Sequence, residues 1–163
     1  MEKSKKIVLL GQFGVGKTSV VRRFIHDTFG DDYKSTLGVE ISKKNITLSS
    51  GKIMSMIIWD LEGFSKISKT RKSYLVGSKG FIYVFDATRP VTYASLAEEI
   101  LYISEHYPAV DLLVVGNKKD AIDDTTLKNI QKKYPELIHS FVSAKTGDGV
   151  SQLFTDLAQK IST

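Results

Sequence analysis

The segment from Gly11 to Thr18 has the residue types and the spacing of a phosphate-binding loop. It reads Gly-Gln-Phe-Gly-Val-Gly-Lys-Thr and contains the pattern G-x-x-x-x-G-K-[ST]. The glycines allow successive backbone N–H groups to point at one oxyanion, and a helix beginning at Lys17 would add unpaired N–H groups and its positive dipole end. Lys17 can reach the β- and γ-phosphates of a nucleotide, and the Thr18 hydroxyl can bind Mg²⁺. An apolar run before the loop and a helix-like stretch after it supply the strand–loop–helix context that this chemistry requires.

A carboxylate further along the chain could complete the metal end of such a site. Asp60 ends an apolar run and is followed three residues later by Gly63. A carboxylate at a strand end can hold Mg²⁺ through water, and a glycine N–H can donate to a γ-phosphate. The pattern D-x-x-G is weak by itself because many turns contain it, but its distance downstream of the loop favours this interpretation.

A polar segment further along the chain could recognise a base. In Asn117-Lys118-Lys119-Asp120 the carboxylate of Asp120 could accept hydrogen bonds from the N1–H and the amino group of guanine, a donor pair that adenine lacks. The stem of Lys118 could lie along the base, and Asn117 could tie this loop to the phosphate loop. The backbone N–H of Ala144 could donate to the base oxygen O6. The alternative is a polar turn with solvated charges.

Strand-like and helix-like runs alternate along the chain. The predicted strands are Lys6–Leu10, Val39–Leu48, Lys52–Asp60, Gly80–Asp86, Leu112–Gly116 and Ser140–Ser143, and the predicted helices are 17–27, 66–76, 93–106, 125–134 and 150–161. This order predicts one α/β domain over residues 1–163, with a mostly parallel six-stranded sheet, one antiparallel edge strand and helices on both faces. Ligands of such sheets bind at the carboxyl ends of the strands.

Composition narrows the class of protein further. The 163 residues carry a net charge of +5 and include no cysteine and no apolar run near the ~20 residues that span a membrane. We therefore expect no disulfide, no thiolate metal site and no lipid anchor on these residues, and a cytoplasmic location. The positive charge could favour nucleic acid, but no RNA-binding or zinc-finger motif is present, so we expect no nucleic-acid partner.

Together these motifs resemble the Ras-like small GTPases over essentially the whole chain. The resemblance implies the small G-domain form of the P-loop NTPase fold, with GTP or GDP and Mg²⁺ as cofactors. The implied nucleotide-binding residues are Phe13, Gly14, Val15, Gly16, Lys17, Thr18, Ser19, Phe29, Tyr33, Thr36, Gly63, Asn117, Lys118, Asp120, Ser143, Ala144 and Lys145. The implied metal-binding residues are Thr18, Thr36 and Asp60, and the implied catalytic positions are Lys17, Thr36, Gly63 and Phe64, the last at the position of the family's usual Gln.

The segment Thr36–Ile41, with Trp59, looks most like the Rab branch of these GTPases. The Rab aromatic trio that contacts effector proteins would fall on Ile41, Trp59 and Tyr74, so its first member is not aromatic here. Structural roles for Trp59 and Tyr74 are the alternative. The absence of a C-terminal lipidation cysteine fits a prokaryotic relative or a shortened eukaryotic chain.

Four cations follow Gly63 within ten residues: Lys66, Lys69, Arg71 and Lys72. Family members carry mixed charge in this stretch. The run indicates either a solvated helix face or a basic surface for an acidic partner or an anionic membrane.

Two departures from the family pattern bear on hydrolysis. Phe64 cannot make the hydrogen bonds that orient an attacking water, and Phe13 would crowd the approach of a partner's arginine. We therefore expect a Mg²⁺-dependent guanine-nucleotide switch that hydrolyses GTP slowly. Alternatives are substituted chemistry, with Glu62 as the first candidate, and a GTP-binding interaction module with negligible turnover. An ATP-using enzyme conflicts with the segment 117–120.

Overall fold

The structure is a computed structural model, and it describes residues 3–28, 38–61, 63 and 66–162. Six strands form one sheet in this part of the chain: β1 Lys3–Leu10, β2 Val39–Thr47, β3 Ile53–Leu61, β4 Gly80–Asp86, β5 Asp111–Asn117 and β6 Ser140–Phe141. The helices are α1 Lys17–His26, α2 Lys72–Leu75, α3 Leu96–His106, α4 Asp124–Lys133 and α5 Val150–Ile161. Short 3-10 turns lie at Ile67–Lys69, Pro90–Thr92 and Lys119–Ala121. None of the helices in these ranges is both long and apolar enough to cross a bilayer.

The strands lie in the order β2-β3-β1-β4-β5-β6. β2 pairs antiparallel with β3, and every other neighbouring pair is parallel. The predicted mostly parallel sheet with one antiparallel edge is therefore confirmed. The β-α-β connections produce it, because parallel neighbours need a crossover whereas a tight turn at residues 49–51 suffices for β2 and β3.

Two hydrophobic clusters cover the two faces of the sheet. Because side chains alternate along a strand, Ile7 and Leu9 of β1 enter one cluster while Val8 and Leu10 enter the other. The first cluster contains residues of α1 and α5, and the second contains residues of α2, α3 and α4. The helices thus lie on both faces, as predicted, and hold the strand ends in fixed positions.

The prediction of a helix over 66–76 is wrong. That stretch forms the 3-10 turn Ile67–Lys69 and the four-residue α2, separated by extended backbone at Thr70 and Arg71. Lys66, Lys69 and Lys72 would repel one another at i, i+3 spacing on a continuous helix. The serine and threonine side chains in between also favour turns over helix interior.

The first turn of α3 was also predicted too early. The 3-10 turn Pro90–Thr92 precedes the helix, and the Thr92 hydroxyl donates to the carbonyls of Asp86 at 3.0 Å and Arg89 at 2.8 Å. The N–H of Tyr93 donates back to the carbonyl of Pro90 at 3.1 Å, and the backbone at Tyr93 and Ser95 is not helical, so α3 begins only at Leu96. The last strand is likewise shorter than predicted, ending at Phe141.

Strand register brings the polar residues of the predicted site to one edge. Leu9 pairs with Asp60 between β1 and β3, and Asp86 pairs with Asn117 between β4 and β5. Since these strands run parallel, their carboxyl ends meet at the same edge of the sheet. The phosphate loop leaves β1 at that edge.

Candidate nucleotide-binding site

The phosphate loop packs tightly against the ends of β4 and β5. Gly11 and Gly16 have φ values of 147° and 98°, a backbone region that favours glycine. A Cβ at Gly11 would lie 2.2 Å from the carbonyl oxygen of Val84, and one at Gly16 would lie 2.3 Å from the Asn117 side-chain nitrogen. The loop can therefore take this path only with glycine at both positions.

Lys17 is the buried cation of this loop. Its side chain is 6% exposed, and its ammonium donates to the carbonyl of Gly11 at 3.3 Å. Burial lowers the pKa of Lys17, while the charge of Asp60 acts in the opposite direction. A buried ammonium with so little compensation favours an incoming anion, and α1 starts at the same residue with its N–H groups toward that anion.

Thr18 and Asp60 bring two hard oxygen ligands together. The Thr18 hydroxyl donates to the Asp60 carboxylate at 2.6 Å, and Asp60 is 2% exposed. Mg²⁺ takes oxygen ligands of this kind, usually with few from the protein and several from water and phosphate. The donor set therefore fits the implied ion.

Asn117 joins three loops through one side chain. Its amide nitrogen donates to the carbonyl of Val15 in the phosphate loop at 3.1 Å, and its amide oxygen accepts from the N–H of Ala144 at 3.1 Å. Asn117 is 2% exposed. The loops that sequence reasoning assigned to the phosphates and to the base are thus fixed relative to each other.

The side chains of Lys118 and Asp120 are also held by other groups of the protein. The Lys118 ammonium pairs with the carboxylate of Asp86 at 2.8 Å and contacts the Gly14 carbonyl at 3.4 Å. The Ser143 hydroxyl donates to Asp120 at 2.7 Å. Asp120 itself is exposed, so its carboxylate can still receive a ligand from outside.

Sequence reasoning missed two residues of this arrangement. Asp86 is fully buried and anchors Lys118, and its signal was a carboxylate at the end of an apolar strand, the same signal that identified Asp60. Arg23 on α1 donates to the carbonyl of Ala144 at 2.8 Å and to that of Lys145 at 2.5 Å. No sequence pattern indicates the Arg23 contact, because it depends on how α1 packs beside the last loop.

Several predicted residues lie outside the described part of the chain. These are Phe29, Tyr33, Thr36 and Phe64, with Glu62 as the alternative catalytic residue. Their roles stay predictions. Among the described residues, Ser19 lies in the first turn of α1 and Lys145 is exposed beside Ala144.

Phe13 and Gly63 meet at the mouth of the phosphate loop. The Phe13 side chain is 57% exposed, and a Cβ at Gly63 would lie 2.3 Å from the Phe13 Cα. The chain after β3 therefore runs directly against the phosphate loop. A phenyl ring occupies the outer surface at this point.

The candidate partner residues lie side by side. Ile41 pairs with Trp59 across β2 and β3, and the Trp59 ring lies 6.3 Å from that of Tyr74. Ile41 is 53% exposed, and the Lys6 ammonium lies 3.7 Å from the centre of the Trp59 ring. The four cations of the basic run are all exposed.

Comparisons with known proteins agree with this arrangement. The sequence model of the Ras family matches residues 6–163. Ras-related protein Rab-18 of Lymnaea stagnalis is 33% identical over 162 residues, which cover 96% of this chain and 79% of the relative. Ras-related protein Rab-18-B of Danio rerio is 34% identical over 162 residues, covering 96% and 78%. Ras-related protein Rab-22A of Homo sapiens is 30% identical over 161 residues, covering 96% and 82%. The chain therefore belongs to the Ras family of small GTPases and is similar to its Rab members.

Proposed function

We propose that this chain is a Mg²⁺-dependent switch that binds GTP and GDP and hydrolyses GTP slowly. The observation that carries the proposal is the pair of hydrogen bonds made by Asn117, which fixes the phosphate loop and the Ala144 loop at one distance. A site for a whole nucleotide needs that fixed spacing, whereas a site for free phosphate does not. We further propose that residues 1–163 act as one domain and that the protein works in the cytoplasm.

Different residues would bind the phosphate end and the base end of the nucleotide. Lys17 and the loop N–H groups would hold the phosphates, and Thr18, Asp60 and the predicted Thr36 would hold Mg²⁺, which neutralises phosphate charge when bound. Asp120 would accept from guanine. Its support is the Ser143 hydroxyl, which occupies one carboxylate oxygen and so orients the group.

Slow hydrolysis follows from two phenylalanines. Phe64 carries no donor or acceptor to hold a water in line with the γ-phosphate. The exposed ring of Phe13 stands on the loop where an activating partner's arginine would approach. Such an arginine is worth roughly 10³–10⁵ in rate, so obstruction there outweighs small effects on binding.

The second candidate function is a GTP-binding interaction module with negligible turnover. The same exposed Phe13 ring favours it, together with Phe64. The two candidates share the binding site and differ only in whether the γ-phosphate is ever released on a useful timescale.

One experiment separates the candidates. The nucleotide that co-purifies with the protein is identified by chromatography, and γ-phosphate release from GTP-loaded protein is then followed over a single turnover. Slow but complete release supports the switch, and retained GTP without release supports the module. Bound ATP, or no bound nucleotide and no affinity for GTP, would reject both.

We also propose that regulators and effectors contact the switch surface formed by Ile41, Trp59 and Tyr74. The trio is contiguous, and its exposed member is aliphatic. The neighbouring basic run Lys66–Lys72 would add contact with an acidic surface.

A further inference from the structure

Glu99 is a buried carboxylate on the apolar face of α3. It is 6% exposed and lies between Leu96 and Ile103, which are both 1% exposed. Acidic side chains are almost never buried unless something pairs with them. The motifs of the nucleotide site do not involve this residue, so its burial needs another explanation.

The partner of Glu99 is a backbone group in the segment that follows Gly63. The N–H of Ile67 donates to Glu99 Oε2 at 2.7 Å, and this hydrogen bond is buried. Ile67 opens the 3-10 turn Ile67–Lys69, and its side chain is 1% exposed. Glu99 therefore fixes the start of that turn to α3 with a charge-assisted bond.

The position of this bond makes it relevant to the phosphate loop. Ile67 is four positions after Gly63 in the chain, and four extended residues span at most about 14 Å. Gly63 packs against the backbone of Phe13 at one end of this segment, and Glu99 holds the other end. The path available to Gly63 is therefore limited by where Ile67 is held.

The groups around Glu99 compensate only in part for the burial of its carboxylate. Burial raises its pKa, and the hydrogen bond from Ile67 and the charge of Lys66 only partly oppose that effect. The neighbouring charge of Glu98 raises the pKa further. Burial raises the pKa of Tyr83 on β4, and the charge of Glu99 adds to that effect. Burying this carboxylate costs free energy, yet it makes one specific hydrogen bond to the segment after Gly63. This is more easily explained if Glu99 positions that segment than if it stabilises the fold.

We propose that Glu99 is a positioning residue that clamps the segment 66–69 to α3 and so presets Gly63 for the γ-phosphate. This inference rests on the proposed function for its nucleotide part. GDP has no γ-phosphate, so the clamp contributes to GTP binding and not to GDP binding. The clamp thereby favours the GTP state of the switch.

Two substitutions at this position separate the hydrogen bond from the volume of the side chain. Glu99→Gln keeps an oxygen that can accept from Ile67, whereas Glu99→Met has similar length and no strong acceptor. Glu98→Met is the matched control, because Glu98 is the exposed neighbour on the same helix.

The first measurement is amide hydrogen exchange of Ile67 in nucleotide-free protein. Glu99→Met should speed that exchange by at least about tenfold, because a hydrogen bond to a charged group is lost. Glu99→Gln should stay within about threefold of wild type, and Glu98→Met should not differ. Amides in the middle of β4 report the global fold and should keep their protection in every variant.

The second measurement is the ratio of GTP to GDP affinity for the same proteins. Glu99→Met should lower the ratio by about three- to tenfold, because part of the GTP binding energy is then spent on ordering the segment 66–69. Glu99→Gln should keep the ratio of the wild type. Unchanged Ile67 exchange in Glu99→Met, or an unchanged ratio, would overturn the clamp. A wild type that binds neither nucleotide would instead reject the proposed function, whatever the exchange shows.

Discussion

The side chains of Lys118 and Asp120 are held in ways that a solvated polar turn does not require. Lys118 pairs with the buried carboxylate of Asp86, and Asp120 accepts from the buried Ser143 hydroxyl. Ordering a lysine costs rotamer entropy, so a fixed Lys118 implies a compensating role. At the scale of single residues, these contacts are therefore consistent with the proposed base-binding loop.

Replacement of Asp120 by Asn tests the base assignment. Asp120→Asn should weaken GTP binding by at least about a hundredfold, because the two guanine donors lose a charged acceptor. Preference should shift toward xanthine nucleotides, whose 2-oxo group suits an amide donor. Competition of GTP, XTP and ATP against a labelled guanine nucleotide measures both effects.

The control for that experiment is Asp124→Asn, which changes an exposed carboxylate nearby at the start of α4. It should leave all three affinities unchanged. If ATP competes with wild type as well as GTP does, Asp120 does not read guanine.

Phe64 and Phe13 are the two residues that we propose slow the hydrolysis of GTP. Phe64→Gln should speed single-turnover γ-phosphate release, because the amide can orient water, whereas Phe13→Gly alone should change it little. Release is followed from preloaded protein without nucleotide exchange. Rapid release by the wild type, or slower release by Phe64→Gln, would mean that another group positions the water. Glu62 would then be the first residue to mutate. When a partner supplies an arginine, the Phe13 substitution should matter more.

At the scale of elements, the packing of α1 against α5 holds the phosphate loop on the sheet. The rings of Phe24 and Phe154 stack with centroids 3.9 Å apart, and Phe154 is fully buried. Arg23, one residue before Phe24, reaches the loop after β6. The C-terminal part of the helix that begins at Lys17 is thereby held by one aromatic pair and one arginine.

Truncation of that aromatic pair should destabilise the fold. Phe154→Ala should lower the free energy of unfolding by about 3–5 kcal/mol, because it removes a buried ring and leaves a cavity. Urea unfolding followed by circular dichroism measures the change. Ser151→Ala, at an exposed position of the same helix, should change it by no more than about 0.5 kcal/mol.

The buried carboxylate of α3 predicts a specific dependence of stability on pH. Burial raises the pKa of Glu99, so the folded protein binds this proton more tightly than the unfolded chain does. The ionised group then costs stability above the raised pKa, and the cost fades as the pH falls toward the ordinary glutamate value of about 4.3. Glu99→Gln should therefore be more stable than wild type at pH 7, with the advantage shrinking on acidification.

Urea midpoints of wild type and Glu99→Gln at several pH values between 7 and 4 check this prediction. Glu98→Gln is the control, because it removes the exposed neighbouring charge. An advantage that grows as the pH falls would mean that Glu99 stabilises the fold as a carboxylate.

At the scale of the whole molecule, the net charge is +5, and four of the cations are clustered beside the switch surface. Lys66, Lys69, Arg71 and Lys72 are exposed, and the Arg71 guanidinium lies 5.9 Å from the Tyr74 ring. These cations do not share one continuous helix, because α2 covers only Lys72–Leu75. The basic run therefore does not form one solvated helix face. It forms a short 3-10 turn and a short helix, and the cations of both are exposed.

Charge reversal tests whether this surface binds acidic partners. A variant with Glu at Lys69, Arg71 and Lys72 should bind nucleotide normally and lose retention on anionic liposomes at low salt. The wild type should lose the same retention above about 0.1 M salt, where the Debye length falls below about 10 Å. Liposome co-sedimentation across a salt series measures both.

The matched control reverses Lys128, Lys132 and Lys133, three exposed lysines of α4, and so changes the net charge equally. Equal retention of the two variants would mean that total charge, and not the basic run, governs binding. Equal retention of wild type and the first variant would mean that these four cations are only a solvated surface.

The sequence by itself determined the motifs, the fold class and the order of the elements. A glycine-lysine-threonine loop after an apolar strand and a carboxylate after another are local patterns, and parallel strands place their ends together by topology alone. The mostly parallel sheet and its antiparallel edge strand were therefore predictable, whereas the order of the strands in the sheet was not predicted. The break in the predicted helix 66–76 was not predicted, although the repeated lysine spacing was visible.

Only the tertiary structure decided which distant groups support those motifs. The contacts of Arg23 and Asp86 join residues far apart in the chain, and no local spacing encodes them. Glu99 is visible in the sequence as a charged residue between Leu96 and Ile103 on an apolar helix face. Its partner cannot be identified from the sequence, because it is a backbone N–H, which every residue type except proline carries. Side-chain identity can be read from a sequence, whereas the meeting of a side chain with a distant backbone group depends on how the helices pack on the sheet.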